Sequence, residues 1–207
     1  MRYKLDKTEP YYLLKKFLSK IPKGRVLDIG AGPGNNSIFL AENNFEVIAI
    51  DLDQKSIERL RALSKKENLN LIAQKIDVRK FKFNKYSFIL AINCLQFMKK
   101  SERDIIIKKI KQSTKKEGFI FISVFTIHDN SYRKFVAKNQ PVEKNTFYSK
   151  NENRYWNFFN PNELKSYFQN SFEILYYNEK IIEDTHLVPH QHGIAEIVAR
   201  KKNASCL

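Results

Sequence analysis

The segment VLDIGAGPGNNSIFLA at residues 26–41 constrains the chain more than any other. It runs from an apolar strand through three alternating glycines into a polar helix start. Gly30, Gly32 and Gly34 carry no Cβ, so the backbone can turn sharply from sheet to helix and admit a ligand close to its main chain. A nucleotide-type site is implied, and the strand before and helix after give the pattern its weight. The flanking chain continues the alternation. A helix over 9–20 places Tyr12, Leu13, Phe17 and Ile21 at helical spacing, and Pro22 to Gly24 turn into the first strand. A helix at 35–42, a strand EVIAI, a helix at 53–66 and a strand at 70–76 follow. YSFILAI at 86–92 is almost wholly apolar, as a central strand covered on both faces must be. Ser101 with Asp104 marks the start of a helix ending near Gly118, and GFIFISVF at 118–125 is the fifth strand. This succession predicts an α/β fold with an open, mostly parallel sheet and helices on both faces.

Beyond residue 125 the pattern changes. Residues 126–160 show no sustained periodicity yet hold Tyr132, Phe135, Phe147, Tyr148, Tyr155, Trp156, Phe158 and Phe159, which predicts a folded lid rather than a slack loop. Asn160, Pro161 and Glu163 fit a helix start at PNELKSYF. Strands at about 172–182 and 194–200 then form an antiparallel pair. At 207 residues and 43% hydrophobic composition, residues 1–207 suit one domain with a substantial core, the lid segment included. No apolar run has the length of a membrane span and no secretory leader opens the chain, so a soluble cytoplasmic protein without membrane contact is expected. Cys94 and Cys206 make neither a disulfide framework nor a metal spacing. The formal charge of +15 would attract anions, nucleic acid included, although lysines scattered over a solvated surface give the same total. KFKFNKY at 80–86 could in principle stack bases, but in this fold it reads as the connection into the fourth strand, with its rings inward.

The spacing of the glycines separates two cofactors. A dinucleotide turn reads G-x-G-x-x-G/A, whereas here the third glycine comes one residue early, in D-x-G-x-G-x-G. Asp28 adds a carboxylate beside the turn, which would repel pyrophosphate and suit an ammonium or sulfonium. The donor expected is therefore S-adenosylmethionine rather than NAD. Asp51, 21 residues after Gly30, closes the second strand where a carboxylate can accept from both ribose hydroxyls. Asp77 closes the third strand, placed for an adenine amino group, with the Val78 amide beside the ring.

These residues resemble motif I of class I S-adenosylmethionine-dependent methyltransferases, and the order of elements is similar to theirs throughout. The resemblance implies a three-layer, Rossmann-like, seven-stranded sheet, mostly parallel with an antiparallel last strand. It implies cofactor contacts at Gly30, Gly32, Gly34, Asp51 and Asp77, joined by Asp28, Ala31, Leu52, Val78 and Asn93. NFFNPNELKSYF, YYNEKIIEDTH and AEIVARKK are similar to the C-terminal third of the tellurite-resistance methyltransferases, which act on soft nucleophiles and metalloid oxyanions. One departure is Ser87, where the family usually has an acidic residue before the fourth-strand run. Asn93, Cys94, Leu95 and Gln96 fall where the family approaches the methyl group, with Gln96, Tyr155 and Trp156 as expected substrate contacts and Cys94 as a small buried hydrophobe, not a nucleophile.

His186, His190 and His192 lie within seven residues beside Glu183 and Asp184. Near neutral pH they could handle a proton, bind substrate, ligate a metal or form a polar loop, and no fixed ligand spacing points to a particular metal. The expected activity is methyl transfer to a small-molecule acceptor, a thiol or a tellurium or selenium oxyanion, with the histidines as base where one is needed. An RNA methyltransferase or a non-catalytic cofactor-binding module are the rival readings, and oligomeric state stays open.

Overall fold

The structure, a computed structural model, describes residues 9–184 and 190–203. Its sheet has seven strands: β1 (Arg25–Ile29), β2 (Glu46–Asp51), β3 (Leu71–Lys75), β4 (Tyr86–Ile92), β5 (Thr114–Phe125), β8 (Phe172–Asp184) and β9 (His190–Lys201), in the order β3-β2-β1-β4-β5-β9-β8. β6 (Thr146–Ser149) and β7 (Arg154–Asn157) form a separate hairpin. β1 to β5 are parallel, while β9 runs antiparallel to both β5 and β8. The chain steps outward from β1 to β3 and then returns to β4 on the other side of β1. That reversal opens a crevice above the C-terminal ends of β1 and β4, the place where open α/β sheets bind ligands.

Side chains alternate across the strands and sort into two cores. Val26, Val47, Leu90, Phe119 and Phe121 face α1 (Tyr12–Phe17), α2 (Asn35–Glu42) and α3 (Gln54–Lys66). Leu27, Ile50, Ile89, Ile120 and Ile122 face α4 (Lys100–Ser113) and α6 (Glu163–Phe168). Among the described residues no helix is long and apolar enough to cross a membrane.

Several boundaries differ from the sequence-based expectation: α6 begins at Glu163 with Asn162, not Asn160, at its N-cap position, and β9 begins at His190 rather than at about 194. α4 is closed at its start by Glu102, whose Oε2 accepts the Lys99 amide at 3.1 Å; Ser101 instead donates its amide and hydroxyl to Glu143, at 2.8 and 2.7 Å. A partner 42 residues away captures the expected cap, which local spacing cannot reveal. α4 also stops at Ser113, so β5 begins at Thr114 rather than at Gly118. Residues 126–160 hold α5 (Asn130–Lys138) as well as the β6–β7 hairpin. These surround an aromatic core of Phe125, Phe147, Trp156 and Phe158, with Phe97, Tyr132 and Phe135 against it. The helix spans only nine residues and buries none of them fully, so its short pattern is lost among the surrounding aromatic residues. The segment is a cap rooted on β5, where Phe159 donates to Phe125 and Ile127 donates to Phe159, each at 3.0 Å.

Candidate active site

The glycine turn is internally bonded. The amides of Gly30 and Ala31 both donate to the Ile50 carbonyl at 2.9 and 3.1 Å, and Gly34 donates to the Ala31 carbonyl at 3.0 Å. Gly32 donates to Asp51 Oδ2 at 2.8 Å, and residue 33 is proline. The N–H groups of the turn are therefore spent within the protein. An anion-binding nest needs such groups pointing outward, so the turn does not form a pyrophosphate cradle.

The three glycines serve different ends. All have positive φ, +69°, +52° and +88° in order. A Cβ at Gly30 would lie 2.4 Å from Cys94 Cβ, and one at Gly34 would lie 2.0 Å from Leu60 Cδ2. Those two permit close packing. A Cβ at Gly32 meets no atom within 4 Å, so its missing side chain leaves a space at the crevice edge.

Carboxylates occupy the ends of three adjacent strands. Asp51 accepts the Gly32 amide on Oδ2 and the Asp53 amide, at 2.8 Å, on Oδ1, so the carboxylate is held rigid with a lone pair left on each oxygen. Asp28 is only 1% exposed and accepts from Ser37 Oγ at 2.6 Å. Burial, with the charge of Asp51 in support, lifts its carboxyl to about 6. Thus Asp28 stands behind the rim as a poorly compensated negative charge rather than on its surface. Asp77 follows directly on Ile76, which donates to the Asp51 carbonyl at 3.0 Å. Hydrogen bonds from Arg79 hold its carboxyl below the usual range, and Arg79 also pairs with Glu102 at 2.8 Å. Leu52 is exposed beside Asp51, and Val78 lies partly buried against the core.

On the β4 side, Asn93 takes a positive φ of 49°, and its Oδ1 accepts from Ser123 Oγ at 3.0 Å. Cys94 donates its thiol to the Ile29 carbonyl at 3.1 Å, while burial and the Asp28 and Asp51 charges push the thiol pKa up. A protonated, bonded thiol is no nucleophile. Gln96 is fully buried, and Asn157 of β7 donates its amide to the Gln96 carbonyl at 2.7 Å.

The cap places the remaining expected residues unevenly. Trp156 stacks on Phe125 and Phe158, donates Nε1 to Glu152 at 3.1 Å, and belongs to the cap core. Hydrophobic closure of the cap claims the ring first. Tyr155 is partly exposed beside Tyr148, with Lys99 Nζ 5.2 Å from its centroid. His186 lies outside the described residues, and His190 opens β9 opposite Asp184. His192 is well ordered by its neighbours. Its ring stacks on Phe125 with centroids 4.8 Å apart, and Nδ1 lies 2.7 Å from the buried Asp129 carboxylate. That pairing places a hydrogen on Nδ1, directed at the carboxylate, and orients the ring. Among the described residues no cluster is arranged to hold a metal ion.

Several site-forming residues escape sequence reading. Buried Glu196 accepts from Tyr11, from Tyr12 at 2.9 Å, and from Lys180 Nζ at 2.8 Å. Tyr11 also donates its amide to Asn36 Oδ1 at 2.8 Å, so it spans from the start of α2 to β9 across the crevice. An acidic residue in the apolar run GIAEIVA was the available signal. Asp129 reads in sequence only as a helix cap, which it also is, accepting the Ser131 amide at 2.7 Å.

A sheet reversed at β1/β4, a glycine turn without an anion nest, and carboxylates at three successive strand ends define the class: this is a Rossmann-like, class I S-adenosylmethionine-dependent methyltransferase fold. Comparison with known proteins narrows it. Residues 3–191 match the family described as Tellurite resistance protein TehB. The probable S-adenosyl-L-methionine-dependent methyltransferase TehB of Haemophilus influenzae is 29% identical over 160 residues, 77% of this chain and 49% of that protein. The crystal structure of TehB from Haemophilus influenzae superposes with a TM-score of 0.73 at 27% identity, covering 93% of this chain and 62% of that one. A Methanosarcina mazei structure described as a SAM-dependent methyltransferase gives the same TM-score of 0.73 at 22% identity, covering 94% and 99%, a likeness of fold. The chain belongs to the TehB family, and it spans about half the length of the curated relatives it matches.

Proposed function

We propose that this chain binds S-adenosylmethionine and catalyses transfer of its methyl group to a small-molecule acceptor with a soft nucleophilic atom, a thiol or a tellurium or selenium oxyanion. The observation that carries the reading is the rim itself. The turn has no N–H groups left for phosphate, Gly32 opens a space beside it, and Asp51 and Asp77 stand at the edge with the buried Asp28 carboxylate behind it. Such an edge favours a neutral-to-cationic adenosyl ligand over a dinucleotide.

In this reading Asp51 holds the ribose hydroxyls with its two remaining lone pairs, and Asp77 accepts the adenine amino group. Asp28 supplies the negative field that a sulfonium and ammonium relieve. When bound, the donor supplies a methyl carbon whose bond to sulfur breaks as the acceptor's lone pair takes it, leaving a neutral thioether. The protein's task is chiefly alignment and exclusion of water, which can lower a barrier by roughly 7–11 kcal/mol in favourable cases. The aromatic cap excludes water. A soft acceptor reacts as an anion whose proton has already gone to solvent, whereas for a hydroxyl or amine His192, oriented by Asp129, is the candidate base that takes the proton. The name of the matched family supports a metalloid acceptor. The reading places the chemistry in the cytoplasm, where thiol acceptors are kept reduced.

Calorimetry with S-adenosylhomocysteine tests the donor site, and a methyl-transfer assay over thiols, selenium and tellurium oxyanions and small amines tests the acceptor. Saturable binding with turnover of a soft acceptor is expected. No binding at millimolar ligand overturns the reading, and salt-sensitive RNA retention with methylation of RNA redirects it to the basic surface.

A further inference from the structure

A polar group sealed inside a protein is normally paired, because leaving it unpaired forfeits its hydration without replacement. Gln96 breaks that rule twice. Its side chain is 0% exposed, and neither Oε1 nor Nε2 has a hydrogen-bond partner among the described residues. Exchanging oxygen and nitrogen does not mend this, since both ends are orphaned.

The surroundings are otherwise well bonded. The Gln96 carbonyl accepts the Asn157 amide at 2.7 Å, and the Asn157 side chain is bonded in turn to Arg103 and Thr146. Two residues earlier, Cys94 ties this loop to the Ile29 carbonyl, directly before the glycine turn. One residue later, Phe97 lies edge-on to Trp156 with centroids 4.9 Å apart. Gln96 therefore stands at the junction of the donor turn and the cap, between the two parts that an acceptor must lie between. An apolar side chain of the same size would fill the position without an unpaired group.

We propose that Gln96 is a specificity-determining residue for the methyl acceptor: its carboxamide reads an acceptor that carries a hydrogen-bond donor and a hydrogen-bond acceptor side by side, as a carboxamide or a hydroxylated oxo group does. The inference rests on the methyltransferase reading above. β7 is joined to the Gln96 main chain through Asn157, and the acceptor meets the carboxamide where the donor turn and the cap come together. A site built this way penalises acceptors that lack the pair, because they leave both ends of the carboxamide unsatisfied.

The test compares the full chain with Gln96→Met, using two thiols that share a nucleophile, 2-mercaptoacetamide and ethanethiol. The wild type is expected to favour 2-mercaptoacetamide by about tenfold or more in kcat/KM, mostly through KM. In Gln96→Met that ratio falls to near one, the melting temperature rises, and S-adenosylhomocysteine affinity stays within about twofold, as replacing an unpaired polar group by an apolar one of similar volume allows. Gln96→Leu serves if Gln96→Met does not fold. A wild type without the preference, a variant that keeps it, or a variant with a lowered melting temperature overturns the proposal. Wild type that binds S-adenosylhomocysteine but methylates neither thiol also overturns it while leaving the donor site standing; wild type that binds no S-adenosylhomocysteine removes both.

Discussion

The donor rim and the cap share one end of one sheet, yet they are held by different kinds of contact. In the rim, bonds run through the main chain or between near neighbours in sequence: Asp28 to Ser37 spans nine residues and Gly32 to Asp51 spans 19. The cap and its seat depend on side chains brought from afar. Arg103 reaches Glu163 and Tyr167, 60 and 64 residues on, and His192 reaches Asp129 across 63. A rim of short-range bonds can lose its ligand without losing its shape. A cap assembled from distant polar partners has no such separation, and damage there spreads into stability.

The largest effect should fall on the cap. Arg103 is fully buried, bonded to Asn157 and Glu163, and lies over the Phe159 ring at 3.9 Å. Arg103→Met strands the Glu163 carboxylate and should cost about 3–5 kcal/mol in urea unfolding. A loss below about 1 kcal/mol would mean that the network does not bind cap to sheet. Next come two glycines that differ only in surroundings. Gly30→Ala meets Cys94 at a positive φ and should destabilise by about 2–5 kcal/mol from clash and strain together. Gly32→Ala meets nothing and should cost only the strain of about 1–2 kcal/mol while weakening S-adenosylhomocysteine binding. Equal melts for the two variants would erase the distinction between packing glycine and ligand glycine.

Asp28 gives a pH test of the rim. Its folded pKa is raised to about 6 from 3.8, so folding favours the protonated acid; the associated stability is fully present below pH 3.8 and lost as pH rises through 6. Asp28→Asn, which can still accept from Ser37, should therefore stabilise the protein at pH 8 by up to about 3 kcal/mol, with the advantage fading as pH falls toward 4. Melts that separate in acid and converge in base would reverse the assignment. Asp51→Ala should act on binding alone, lowering S-adenosylhomocysteine affinity by about 1–3 kcal/mol by calorimetry with the fold retained.

The same contrast explains what could be read in advance. Strand ends, glycine spacing and the positions of Asp28, Asp51 and Asp77 follow from periods and local turns, and the described sheet carries them where the chain order predicts. The spent state of the turn's amides was not legible, because it depends on the Ile50 carbonyl of the neighbouring strand. Nor was the seat of Trp156, since a ring in an aperiodic segment gives no hint of which other rings will claim it. Arg103 sits on an ordinary amphipathic helix and looks solvent-bound until α6 and β7 arrive. Glu196 was visible as a misplaced charge, but its tyrosine partners stand 184 and 185 residues earlier.

That last separation bears on how the chain is made. β9 enters the sheet between β5 and β8 and is the final strand among the described residues. Until it is synthesised, the long flank of β5 has no neighbour, and the phenols of Tyr11 and Tyr12 have no carboxylate to receive them. A nascent chain on the ribosome thus carries an open β edge beside an unfinished crevice, the condition under which chains adhere to one another. Release of the last strand closes the edge and completes the crevice together, so chaperone dependence during translation should be greatest just before Glu196 emerges.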